Sequence, residues 1–220
     1  MAIYMPEEKQ FEQPPPGSHV ACCFRTIDLG TQPGQYGPRP QVLFSWELVD
    51  EAMSDGRRFT ISRRYGLSSS RKSNLRGTVE NWLGRTLASN EFGKFDLASL
   101  LGTTCLIGIQ HETREDRIYA DVTSVMRRPK SVADRMSPTN EAIAFSLADR
   151  PFRQHDFEKL PEWVRTAIAR SPEYGLATKP QSQKAISAGT KQRLKAILAD
   201  EPAPKPEPVV EDLDDEIPFS

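Results

Sequence analysis

Cysteines, histidines and long apolar runs are scarce in this sequence, and each scarcity excludes a class of protein. The 220 residues include three cysteines, of which Cys22 and Cys23 are adjacent and Cys105 is distant. This spacing fits neither a disulfide framework nor a CxxC metal site. The three histidines are scattered along the chain. We therefore expect no metal site, and a reducing cytoplasm is the expected compartment.

No segment has the pattern of a targeting or membrane-spanning sequence. Residues 1–17 are acidic and rich in proline, whereas a signal peptide begins with basic residues followed by an apolar run. No apolar run approaches the roughly 18 residues that would predict a membrane span. We expect a protein that does not enter the membrane.

Motifs that support catalysis are also missing from the sequence. It contains neither a GxSxG elbow with the other members of a triad nor a GxGxxG or GK[ST] phosphate loop. The adjacent carboxylates of Asp214 and Asp215 lie in an acidic stretch that is expected to be too flexible for fixed geometry. We therefore expect no catalytic residues, no cofactor and no enzymatic activity.

Charge is present but segregated, although the net charge of the chain is only −1. Residues 57–76 contain no acidic residue and seven basic ones, namely Arg57, Arg58, Arg63, Arg64, Arg71, Lys72 and Arg76. Residues 211–220 contain five acidic residues and no basic one. The nearly neutral total therefore does not exclude an anionic ligand.

The hydrophobic periodicity predicts a mainly β protein. Alternating residues predict strands at 17–28, 41–49, 57–65, 104–112 and 116–125, with Cys22 toward the core and Cys23 on the other side. Residues 73–87 have helical periodicity. Five strands with one helix between the third and fourth form the plan of an OB-fold, a Greek-key barrel, and another small barrel or a β-sandwich is the alternative.

The predicted organisation has four regions. Residues 1–16 are expected to form a flexible arm, 17–130 the OB-fold domain, 131–200 a partly helical extension, and 201–220 a proline-rich linker with a disordered acidic tail. Short helices are predicted within 160–175 and 190–200. The apolar side of the first is expected to comprise Trp163, Val164, Ala167 and Ile168.

The basic segment is the strongest internal indication of a ligand. The predicted third strand places Arg58, Thr60, Ser62 and Arg64 on its outward face. Phosphates require positive charge, and non-specific binding of a single strand also requires flat aromatic rings on which bases stack. The candidate stacking residues are Tyr36, Tyr65 and Tyr119, whereas Trp46 and Trp82 lie on apolar stripes and are expected in the core. The alternative is that the basic face is merely solvated.

The acidic stretch ends in Asp214, Asp215, Glu216, Ile217, Pro218 and Phe219. A predicted OB-fold, a proline-rich linker and an acidic tip with Ile-Pro-Phe together resemble the single-stranded DNA-binding (SSB) proteins of bacteria and some bacteriophages. The likeness covers about nine tail residues and otherwise only the architecture. The 131–200 region departs from the bacterial plan and favours a bacteriophage-type protein, acting in the cytoplasm of its bacterial host.

The resemblance implies that the barrel holds single-stranded DNA and that the six tail residues recruit replication, recombination or repair enzymes. In the bacterial tail the final phenylalanine carries the α-carboxylate that takes part in docking, whereas Ser220 follows Phe219 here. A homo-oligomer is compatible with this plan. Two alternatives remain, a recombination mediator or strand-annealing protein and a protein-interaction module that binds no nucleic acid.

Overall fold

The computed structural model describes residues 12–34, 37–68, 70–114 and 117–178. Its strands are β1 (Gly17–Gln32), β2 (Arg39–Ala52), β3 (Arg58–Gly66), β4 (Thr104–Arg114), β5 (Arg117–Arg127) and β6 (Ile143–Phe145). Its helices are α1 (Asn74–Leu83), α2 (Ser89–Phe92), α3 (Gln154–Glu158), α4 (Glu162–Ala169) and α5 (Pro172–Ala177), with a short 3-10 helix at Leu97–Leu100. The prediction of a mainly β protein is confirmed.

All six strands belong to one sheet, in which the five long strands run antiparallel in the order β3-β2-β1-β4-β5. β1 is shared, because its first half pairs with β4 and its second half, at Arg25–Ile27, pairs in parallel with the short β6. β3 and β5 are thus the ends of the strand order. The Arg63 side chain connects these ends by donating a hydrogen bond to the Val122 carbonyl oxygen.

The inner face of the sheet, defined here as the face that packs against α1, holds the main hydrophobic core. Trp46 from β2 and Trp82 from α1 are both buried there, with ring centroids 5.7 Å apart. The Trp82 indole Nε1 donates a hydrogen bond to the Thr104 carbonyl at 3.1 Å, so its polar atom is satisfied. The prediction that both tryptophans lie in the core is confirmed.

Helix α1 is shorter than its periodicity predicts. The Ser73 hydroxyl caps its first turn by accepting from the Arg76 amide, and Gly84 ends it in the left-handed conformation at φ 67°. Leu87 lies beyond the helix but is still buried in the same core. The predicted helix over 73–87 is therefore too long, because the chain continues to bury apolar residues after the helix has ended.

The outer face of β1 and β2 is buried as well, by residues from the predicted extension. Ile27 and Leu43 pack there with Phe145, Val164, Ile168 and other apolar residues in a second core. Cys23 lies in the inner core, whereas Cys22 lies on the opposite face, where its Sγ contacts the Met136 carbonyl at 3.5 Å. The predicted orientation is therefore wrong, because Cys23 and not Cys22 points into the main core. Cys22 is buried as well, because the outer face of β1 is also covered.

Polar contacts fix the extension at specific points of the sheet. Glu173 accepts from the backbone amide of Thr31 at 2.9 Å and from its hydroxyl at 2.6 Å. At Gly30, with φ 66°, a side chain would collide with Ser171, the N-cap residue of α5. Glycine therefore permits the close approach of α5 to the end of β1.

The end of the predicted N-terminal arm contacts the sheet. His19 hydrogen-bonds the Pro15 carbonyl at 3.0 Å, and His111 hydrogen-bonds the Pro14 carbonyl at 2.8 Å. The Glu12 carboxylate also accepts from the Ser54 amide at 2.9 Å. Residues 12–16 are therefore held against the sheet rather than free, and residues 1–11 lie outside the described part of the chain.

Candidate nucleic-acid interface

The outer face of β3 is the exposed polar strip of the sheet. Phe59, Ile61 and Tyr65 point into the inner core. The alternate residues Thr60, Ser62 and Arg64 are exposed to solvent, as the strand periodicity predicts. We call this outward row, with the described residues 67, 68 and 70–72 that follow it, the β3 face. It offers hydroxyl groups and a guanidinium on a rigid strand, next to the extension-covered face of β2.

Acidic residues from outside the basic segment neutralise three of its seven basic side chains. Arg57 pairs with Asp55 at 2.6 Å, Arg58 with the buried Glu47 at 3.0 Å, and Arg76 with Glu80 at 2.9 Å. The Arg57 pair is exposed to water, so an incoming phosphate can replace the weakly held Asp55. Arg58 is instead committed to a buried partner.

Arg76 is buried, contrary to its predicted place on an exposed basic surface. Its side chain is only 4% exposed, and it donates to the Leu87 carbonyl as well as to Glu80. The Leu87 amide and Arg76, both bound to Glu80, hold the pKa of that carboxyl below its usual value. Arg76 therefore fixes the chain after α1, because its guanidinium is consumed by protein partners.

Arg63 is also occupied by contacts within the protein. Its guanidinium donates to the Val122 carbonyl and lies 5.3 Å from the centre of the Tyr65 ring. Arg63 therefore joins the two ends of the strand order, and this leaves fewer of its donors for a ligand.

Four of the predicted basic residues have no acidic partner among the described residues, and three of these, unlike Arg63, are exposed. Within the described ranges, Arg64, Arg71 and Lys72 form no ion pair, and all three are exposed. Arg64 lies near the end of β3, and the other two follow in the loop that leads to α1. The available positive charge of the segment is therefore concentrated at the C-terminal end of the β3 face.

The three candidate stacking tyrosines differ in position. Tyr65 is 4% exposed and packs edge-on against Phe44, so it cannot offer a ring face to a base, and its prediction as a stacking residue is wrong. Tyr119 is 41% exposed, with the Arg114 guanidinium 5.8 Å from its ring centre. Tyr36 lies outside the described residues.

Tyr119 lies on β5, the strand that Arg63 connects to β3. β3 and β5 both run in the same direction as β1, because each is an even number of antiparallel steps from it. Arg63 donates to the Val122 carbonyl, and Tyr119 is three residues before Val122 on β5. The exposed ring of Tyr119 therefore belongs to the strand that meets β3 at Arg63.

Trp163 is an exposed aromatic residue beside Arg64 that is absent from the predicted stacking residues. The sequence predicts it on the apolar side of its helix, but it is 47% exposed, while Val164 and Ile168 provide the buried contacts of α4. The Arg64 guanidinium lies 5.3 Å from the centre of its indole ring. Trp163 lies at one margin of the helical stripe and the buried Ile168 at the other, so helical periodicity alone does not separate them.

The remaining candidates include no nucleophile or metal site among the described residues. Burial raises the pKa of Cys22 to about 11 and that of Cys23 to about 12, so neither is a thiolate at neutral pH. No group of three potential metal ligands occurs within the ranges that the structure describes. None of the described helices combines the length and apolar character needed to cross a bilayer.

The predicted tail residues Asp214, Asp215, Glu216, Ile217, Pro218 and Phe219 lie outside the described residues, as does the predicted helix at 190–200. Comparison with known proteins adds no relative, because neither a family model nor a curated protein matches the chain.

Proposed function

We propose that this protein binds single-stranded DNA without sequence specificity, on an OB-fold whose β3 face is the binding surface. The strand order β3-β2-β1-β4-β5, with a long shared β1 and a helix between β3 and β4, supports the OB-fold assignment. The hydrogen bond from Arg63 on β3 to Val122 on β5 supports closure of the sheet into a barrel.

The observation that carries the proposal is the presence of unpaired cations on β3 and an exposed ring on β5, the two strands that Arg63 connects. Arg64, Arg71 and Lys72 have no acidic partner among the described residues, and Tyr119 exposes its ring on β5. Cations attract the phosphate backbone, and an exposed ring stacks on any base. The combination matches a flexible single strand with accessible bases.

Double-stranded DNA fits this surface less well than single-stranded DNA. Base faces in a duplex are stacked on one another, so an exposed tyrosine has nothing on which to stack. The regular structure of the β3 face is a single strand, whereas the major groove of a duplex admits a helix or a two-stranded ribbon. The surface therefore favours an unpaired strand.

The acidic tail forms the second part of the proposal. Asp214, Asp215 and Glu216 followed by Ile217, Pro218 and Phe219 combine charge with an aliphatic and an aromatic side chain. Such a segment suits a partner that presents an apolar pocket with a basic rim. We infer that these residues recruit replication, recombination or repair enzymes to the DNA that the barrel holds.

Titration of a fluorescently labelled oligo-dT with the full chain at 50 and 200 mM salt tests the binding function. We expect binding that weakens steeply with salt, because bound phosphates release counterions. A labelled duplex of equal length serves as the control and is expected to bind more weakly. Salt-independent binding, or no binding to oligo-dT at either salt concentration, would reject the proposal.

A further inference from the structure

A groove beside the end of the β3 face is formed jointly by the sheet and the extension. Gln41 and Arg64 line it from the sheet, and Glu162, Trp163, Thr166 and Arg170 line it from α4 and the residue that follows. We call it the Trp163 groove. It is open to solvent on the same side as the exposed face of β3, so a strand bound to that face can continue into it.

The side chains of the groove supply both kinds of contact that a nucleotide needs. Trp163 presents a half-exposed indole, and indole rings are good stacking partners for a base. Arg64 and Arg170 both line the groove, and neither forms an ion pair within the described part of the chain. Glu162 is the acidic residue among the lining residues, so two positive charges face one negative charge.

The exposure of Trp163 is not required for packing of the extension. Val164 and Ile168 are buried in the second core, and Gln32 fixes α4 by donating to the Ala167 carbonyl at 2.9 Å. The contact of Trp163 with Arg64 is a cation–π contact at the surface, at 5.3 Å from the ring centre. A guanidinium in this position can leave the ring for a phosphate while a base takes its place.

We propose that the Trp163 groove is a nucleotide-binding subsite, with the base stacked on Trp163 and the phosphate held by Arg64 and Arg170. This inference rests on the proposed function, because the groove extends the same DNA path from β3 onto α4. The extension is then part of the binding surface and not only a cover for the outer face of β1 and β2. Glu162 weakens binding at this subsite through repulsion of the phosphate.

Intrinsic tryptophan fluorescence provides a direct test, because Trp46 and Trp82 are buried and Trp163 is exposed. Oligo-dT should quench the fluorescence of the wild-type chain, and Trp163→Phe should abolish most of this quenching while anisotropy of labelled oligo-dT still reports binding. Trp163→Ala should lower the affinity about five-fold or more. Leu176→Ala removes another exposed apolar side chain outside the groove and should change nothing.

Charge variants test the phosphate position independently. Arg170→Ala should reduce the log–log salt slope by about 0.7, and Glu162→Gln should increase the affinity. If oligo-dT binds with a steep salt dependence but neither quenches fluorescence nor responds to Trp163→Ala, the groove lies off the DNA path while the proposed function stands. If oligo-dT does not bind at all, the proposed function fails, and the subsite with it.

Discussion

Glu47 on β2 binds Asn140 twice, since its Oε2 accepts from the Asn140 backbone amide at 2.9 Å and from the Asn140 side-chain amide at 2.7 Å. Its Oε1 accepts from the Thr139 amide at 2.8 Å and from Arg58 at 3.0 Å. The carboxylate is completely buried. One side chain thus anchors the segment that precedes β6 on the outer face of the sheet.

Replacement of Glu47 by alanine should strongly destabilise the protein. The change leaves two backbone amides and the Arg58 guanidinium without an acceptor, and a buried ion pair that loses one partner typically costs about 3 kcal/mol or more. The free energy of unfolding, measured by urea denaturation, should fall by about that amount. Glu51→Ala, a more exposed change on the same strand, is the matched control. A loss for Glu47→Ala no larger than the control loss would contradict the anchoring role.

Stability should also depend on pH through Glu47. Burial raises its pKa, but hydrogen bonds from Thr139 and Asn140 and the charge of Arg58 outweigh this effect, so the pKa lies below its usual value. A depressed folded-state pKa adds stability that is present above the unfolded value of about 4.3. That stability is lost as pH falls through the folded-state pKa.

Glu47→Gln removes this titration and isolates it. Wild type should be more stable than Glu47→Gln at pH 7, and the difference should shrink as pH falls below about 4. The pKa of Glu80 is also lowered, by the Leu87 amide and Arg76. Its contribution to the pH dependence is the same in both proteins, so it cancels in the comparison. A difference in unfolding free energy that is the same at pH 7 and pH 3 would show that the pKa of Glu47 is the same in the folded and unfolded protein.

The basic segment shows what a charge count can and cannot predict. The alternation of residues along β3 is enough by itself to predict that Thr60, Ser62 and Arg64 point outward. The availability of each cation depends on residues beyond the counted window. Glu47 on β2 neutralises Arg58, and Glu80, one helical turn after Arg76, neutralises Arg76. A charge count over residues 57–76 leaves these partners out, so it overestimates the free positive charge.

Burial of both faces of β1 is a second feature that periodicity does not reveal. Alternation predicts one core face, but Cys22 and Cys23 are both completely buried, the first by the segment around Met136 and the second by the inner core. The sequence predicts a partly helical extension at 131–200 but does not predict that it covers the sheet. Its apolar residues are few, but they complete a core with Ile27 and Leu43, and only the tertiary structure shows this pairing.

Arg71 and Lys72 should account for part of the salt dependence of DNA binding. Each phosphate contact on a single strand contributes about 0.7 to the log–log salt slope, so Arg71→Ala with Lys72→Ala should reduce the slope by about 1.4 and weaken binding to all sequences alike. Arg85, which pairs with Glu91 outside the β3 face, provides a control variant. An unchanged slope in Arg71→Ala/Lys72→Ala would place the DNA path elsewhere.

Tyr119 and Tyr65 should respond in opposite ways to alanine substitution. Tyr119→Ala removes an exposed ring and should lower oligo-dT affinity by about 1–3 kcal/mol with little change in unfolding free energy. Tyr65→Ala creates a cavity next to Phe44 in the core and should lower the free energy of unfolding by about 3 kcal/mol or more. Oligo-dT titration and urea denaturation of both variants separate the two effects. Full DNA affinity in Tyr119→Ala would remove this ring from the proposed site.

The acidic tail is expected to interact with two surfaces in turn. Its carboxylates resemble a run of phosphates, so without DNA they compete weakly for the unpaired cations Arg64, Arg71 and Lys72. The alternating prolines at 202–208 predict a stiff, extended linker, which would increase the reach of the tail. Bound DNA repels the tail by like charge and leaves Phe219 free for a partner enzyme.

Deletion of residues 211–220 and the single change Phe219→Ala test these two roles separately. The deletion should leave oligo-dT affinity equal or higher, most visibly at low salt, where competition between charges is least screened. Phe219→Ala retains the acidic charge, so DNA affinity should stay unchanged while capture of replication or repair enzymes from lysate is lost, because a buried aromatic anchor dominates small interfaces. Weaker DNA binding after the deletion would refute the competition, and capture of the same enzymes by Phe219→Ala would refute the recruiting role.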